Sequence, residues 1–136
     1  MIFGQRPAAW LTGPTWQVVG VNNGHGGVAS VLAETQLDAT FGENGVVSGS
    51  TGCNGYRGLY TADEATIAIG PLASTRRACP SEEATAQEQA FLAALAASTR
   101  YELQGNRLTL RNDAGAAQVD MVWVVGSPIR RDVPVL

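Results

Sequence analysis

The feature that most constrains this chain is the twelve-residue stretch Gly49-Ser50-Thr51-Gly52-Cys53-Asn54-Gly55-Tyr56-Arg57-Gly58-Leu59-Tyr60. It holds four glycines, one of the two cysteines and two of the three tyrosines, a pattern too dense for an ordinary surface loop. Glycines at this spacing permit positive φ or close backbone approach, so the stretch reads as a compact knot of bends rather than a regular strand. Tyr56 and Tyr60 can each bury a ring while keeping a hydroxyl for a backbone partner. Asn54 reads as a turn residue whose side chain satisfies backbone groups. The second cysteine, in Ala73-Ser74-Thr75-Arg76-Arg77-Ala78-Cys79-Pro80, lies just before the best helix pattern in the chain. A Cys53–Cys79 bond would tie the knot to that helix.

The rest of the chain alternates short apolar segments with turn residues, among them many of its 16 glycines. Thr15 to Val21 reads as a strand with Trp16 and Val18 on one face; Val19 and Val21 make the other face apolar, which predicts cover on both sides. Asn22 to Gly27 is a loop and Val28 to Ala33 a short strand or buried connector. Leu37, Ala39 and Phe41 alternate with polar residues, and Asn44-Gly45 is the pair that a type I′ hairpin demands. Thr66 to Ile69 is a strand ended by Gly70-Pro71. Ser81 caps a helix over residues 82–97, with Glu82 and Glu83 at the positive end of its dipole and Glu88 as a misfit on its apolar face. Gly105-Asn106 then suits a two-residue type II′ loop, which pairs Leu103 with Leu108 and Tyr101 with Leu110. Val119, Met121, Trp123 and Val125 form the apolar face of a last strand. These elements describe an α+β fold: an antiparallel, β-rich sheet with one amphipathic helix. Residues 1–13 read as an N-terminal arm or appended remnant, 14–125 as one domain, and 126–136 as a tail.

Composition narrows the function. A net charge of −3, with nine scattered arginines and no lysine, excludes a polyanion-binding face, so no nucleic-acid partner is expected. No stretch approaches the ~20 continuous apolar residues of a membrane span. Met1 to Gly13 lacks a basic start, an apolar run and a cysteine placed for lipid attachment, so no export signal is visible. Two cysteines in a small chain suit one disulfide in an oxidising compartment; two buried, unlinked thiols are the alternative.

Catalytic chemistry finds little footing. His25, the single histidine, could serve Cys53 as a base if its glycine-rich loop folded over the knot, but a histidine between glycines reads as a solvated loop residue. His25, Cys53 and Cys79 lack the paired spacing of zinc sites, so no metal or other cofactor is expected. Glu82 and Glu83 diverge by about 100° on a helix and read as first-turn charges, not paired catalytic carboxylates. Arg76-Arg77 reads as solvated charge. Self-association through Val133-Pro134-Val135-Leu136 and the N-terminal arm is a further reading; a monomer is expected.

The run Ser48 to Tyr60, followed by Leu72-Ala73-Ser74-Thr75-Arg76-Arg77-Ala78-Cys79-Pro80, resembles the META domain, the family of the bacterial heat-shock protein HslJ. Thr15-Trp16, the segment Phe41 to Ser48, and the helix with Phe91 and Leu92 extend the resemblance over most of the chain. The residues that carry it are Gly49, Gly52, Cys53, Asn54, Tyr56, Gly58, Tyr60, Thr75, Cys79 and Pro80. Gly55 and Arg77 stand at variable positions. The resemblance implies a partly open, barrel-like sheet with one helix, export to or attachment at the bacterial envelope, and no established enzyme activity. It implies a stress-tolerance or binding role with an unknown protein or apolar small-molecule partner. A lipid carrier is the alternative, with Trp16, Phe41, Phe91 and Trp123 as the residues that would line an apolar cavity.

Overall fold

The computed structural model describes residues 11–123. The expected arm up to residue 10, the end of the last strand at Val125 and the apolar tail lie outside the described residues. Wholly within the described residues lie ten strands and one helix, in order: β1 (Thr15–Asn22), β2 (Val28–Ser30), β3 (Asp38–Phe41), β4 (Val46–Ser50), β5 (Gly55–Ala62), β6 (Ile67–Ile69), β7 (Ala73–Ser74), α1 (Glu82–Ala97), β8 (Arg100–Gln104), β9 (Arg107–Arg111) and β10 (Ala117–Val122). The strands form one antiparallel sheet in the order β6-β5-β4-β3-β1-β10-β9-β8, with β2 beside β1 and β7 beside β5. Its two outer strands come together at a Thr66–Arg100 bridge, flanked by the Ile67 N–H to Thr99 and Tyr101 N–H to Ala65 carbonyl bonds of 3.0 Å each. The result is a nearly closed barrel with an unsealed seam.

The register of β8 and β9 places Leu103 opposite Leu108 and Tyr101 opposite Leu110, as their pattern predicts, with Gly105 at φ +60°. The helix also has the expected bounds: the Ser81 side chain accepts the Ala84 N–H at 3.0 Å. Ala84, Phe91, Ala94 and Leu95 turn its apolar face into the barrel.

Three local expectations are corrected. β1 is not covered on both sides. A bulge at Val19 sets Val18 against Met121 and Gly20 against Asp120, which returns Val21 to the core and leaves Val19 37% exposed. The β3–β4 connection is a hairpin but not a two-residue one. The Gly45 N–H bonds to the Gly42 carbonyl, and Gly45, at φ +83°, takes the left-handed place of a three-residue loop ending in a bulge. Finally, the glycine-rich stretch is no knot. It is the β4–β5 hairpin, regular from Val46–Leu59 to Ser50–Gly55, with its bend confined to Thr51–Asn54.

The glycines serve close approach instead. A Cβ on Gly49 would lie 2.1 Å from the Asp38 carbonyl oxygen, and one on Gly58 would lie 2.8 Å from that of Pro71. Of the four, Gly52 alone has a positive φ, +97°.

Candidate functional site

The turn between β4 and β5, the segment after β7 and the first half of α1 meet at one polar junction. Asn54 is its centre. Its side-chain amide donates to the Arg77 carbonyl at 3.1 Å and to Glu88 Oε2 at 2.7 Å. Its carbonyl oxygen accepts the Arg77 N–H at 2.7 Å and the Thr75 hydroxyl at 2.8 Å. All four hydrogen-bonding positions of the amide are filled, which is what a buried asparagine requires. Thr51, fully buried, accepts the Asn54 N–H at 2.9 Å and donates its hydroxyl to Glu88 Oε2 at 2.6 Å.

Asn54 holds the Arg77 main chain just ahead of Cys79. Cys79 is joined to Cys53 by a disulfide, with Cα atoms 5.2 Å apart. The second carboxylate oxygen of the half-buried Glu88, Oε1, lies 3.6 Å from the Cys79 sulfur. Glu88, the misfit of the helix pattern, is thus the helix's polar anchor to the turn. Its position on the apolar face, between Ala84 and Phe91, was the signal available in the sequence; its partners were not. A neighbouring residue, Gln87, bonds the Leu32 N–H at 2.8 Å and the Thr35 hydroxyl at 2.9 Å, fixing the same helix to the loop after β2.

Beside the junction, β3, β4, β5 and β7 frame an open groove of about 850 Å³. Thr40, Ser48, Gly49, Arg57 and Ser74 line it. Arg57 is exposed and, among the described residues, makes no ion pair. Below the groove, Tyr56 packs edge-on against Phe91 with ring centroids 5.5 Å apart. Its hydroxyl donates to the Asp38 carbonyl at 2.9 Å. Burial, with the Asp38 charge nearby, raises the Tyr56 pKa far above its ordinary value, so the phenol stays neutral.

The residues singled out from the sequence therefore separate. Cys53, Asn54, Thr75 and Cys79 meet at the junction, with Gly52 in its turn, while Gly49 and Tyr56 lie between it and the groove. Gly58 makes room for Leu72, and Pro80 leads into the Ser81 cap. Tyr60 belongs to the other end of the barrel, where its hydroxyl bonds the Gly42 carbonyl at 2.7 Å and its ring meets Phe41. Trp16, Phe41 and Phe91 are fully buried in the core and Trp123 packs against it. His25 sits in an exposed loop.

The META domain family model matches residues 9–122. The chain belongs to the META domain family. Similar solved structures include an NMR structure of a protein from Burkholderia xenovorans, 26% identical, covering 88% of each chain at a TM-score of 0.69. A second NMR structure, 21% identical, covers 90% of this chain and 96% of its own at a TM-score of 0.63. The crystal structure of a DUF4847 family protein from Bacteroides vulgatus ATCC 8482, 17% identical, covers 82% and 93% at a TM-score of 0.59. The last two are likenesses of fold. No curated protein matches this chain. No helix among the described residues is long and apolar enough to cross a membrane.

Proposed function

We propose that this META domain is a non-enzymatic binding module of the bacterial envelope or the space outside it, acting in stress tolerance. The observation that carries this reading is the groove beside the disulfide-linked junction, with the unpaired Arg57 and the hydroxyls of Thr40, Ser48 and Ser74 on its walls. Such a surface suits a polar ligand bearing carboxylate or phosphate groups. The disulfide suits an oxidising compartment and so supports the extracytoplasmic setting.

No comparable observation favours the other readings. A carrier of apolar ligands would place Trp16, Phe41 or Phe91 on a cavity wall, whereas these side chains fill the core. A cysteine-dependent enzyme would need a thiolate at Cys53, whose sulfur is bonded to Cys79. The groove is tested by recording amide NMR spectra while titrating a panel of phosphorylated and carboxylated small molecules. Shifts centred on Ser48, Arg57 and Ser74, weakened in Arg57→Ala, are expected from at least one ligand class. Shifts confined to other faces would overturn the assignment.

A further inference from the structure

Cys53, Cys79 and Glu88 offer three potential metal-ligating atoms within 4.8 Å of one another. Glu88 is already oriented for such a task. Thr51 and Asn54 both bond its Oε2, at 2.6 and 2.7 Å, leaving Oε1 turned to the sulfurs. This division of labour, in which outer partners hold one oxygen and free the other, is how proteins fix carboxylate ligands. Its 3.6 Å distance to the Cys79 sulfur is close to the separation of two ligands on a tetrahedral zinc ion, about 3.5–3.8 Å for bonds of 2.0–2.3 Å. The Cα spacing of 5.2 Å allows the two sulfurs to move from bonding distance to that separation by side-chain rotation.

We infer that reduction of the Cys53–Cys79 bond converts the junction into a site for a thiophilic divalent cation of the zinc class, with Cys53, Cys79 and Glu88 as ligands and water in the fourth position. The conversion balances with a dithiol as reductant. Its two electrons break the S–S bond, its two protons pass to the Cys53 and Cys79 sulfurs, and it leaves as its own disulfide. Binding of the cation then displaces both thiol protons. The same two sulfurs cannot serve both states, so the disulfide is what keeps the metal out.

The test is titration with Zn²⁺ alone. The full chain is reduced with dithiothreitol, freed of reductant without oxygen and titrated against a chromophoric chelator, with near-ultraviolet circular dichroism following the fold. One zinc per reduced chain, none per oxidised chain, and protection of both thiols from alkylation are expected. Glu88→Gln retains an oxygen for Thr51 and Asn54 but loses the charged ligand atom. It should weaken zinc binding at least as much as the loss of an outer-shell partner, about 10–100-fold. Failure of the reduced chain to take up one zinc overturns the inference. So does a Glu88→Gln chain that binds zinc as tightly as the parent, including the case in which both bind only as unfolded chains.

Discussion

The two ends of β3 are held by different physics. At the Asp38 end, the helix, the β4–β5 turn and the segment after β7 are joined by a disulfide and by hydrogen bonds converging on Asn54 and Glu88. At the Phe41 end, closure is apolar: Leu11 is fully buried, the Trp16 indole donates to its carbonyl at 3.0 Å, and Phe41 meets Tyr60 edge-on at 5.1 Å. Polar closure depends on direction, so it specifies which segments meet. Apolar closure depends on volume, so it stabilises whatever fills the space. The metal-competent cluster lies at the specified end, and the groove runs from it along β3 and β4 to Gly42 and Asn44.

The sharpest test of that contrast sets one change at each end. Trp16→Ala should cost about 3–5 kcal/mol, measured by urea denaturation, because it opens a large cavity and removes the bond to Leu11. Replacing both cysteines by serine should cost about 3.5 kcal/mol, the chain-entropy value for the 26-residue separation of Cys53 and Cys79. Among the described residues, none bonds to both Trp16 and the cysteine pair, so the two costs should add within about 0.5 kcal/mol. A larger shortfall or excess would mean that β3 couples the ends and that the two closures are not independent.

A smaller effect separates two glycines of one hairpin. Gly49→Ala should destabilise by about 1–3 kcal/mol or more, since its Cβ would meet the Asp38 carbonyl, a backbone atom that cannot swing aside. Gly55→Ala, whose nearest new contact is 3.8 Å away, should stay within about 0.5 kcal/mol. Equal midpoints for the two variants would show that the strands separate freely at Gly49.

These glycines also mark how far the sequence could be read. Alternation made Leu37, Ala39 and Phe41 legible, and turn chemistry settled the β8–β9 register, because both signals are local. The β1 bulge was not legible: Val19 and Val21 present the same apolar pattern whether or not one extra residue is inserted. Gly49 announced a constraint without naming the strand that imposes it. Glu88 was visible as an exception on its helix, yet its partners Thr51 and Asn54 lie more than thirty residues earlier, a separation that no periodicity spans. β7 was missed because two residues carry no pattern.

The smallest effect belongs to Asp38, where the specified end carries a cost. Burial pushes its carboxyl above the ordinary aspartate value, and the Ser50 N–H, donating to Oδ1 at 3.0 Å, pulls it only part of the way back. Between the unfolded value of 3.8 and the higher folded value, the folded chain binds a proton that the unfolded chain does not. Asp38 therefore favours folding at pH below 3.8, and that contribution is lost as pH rises through the folded value. Asp38→Asn keeps an oxygen for Ser50 and removes the charge. At neutral pH it should stabilise by less than about 1 kcal/mol, and the advantage should vanish on acidification below 3.8. Urea midpoints across pH decide the matter: a variant less stable than the parent at neutral pH would mean that the Asp38 carboxylate strengthens the junction's end of the barrel.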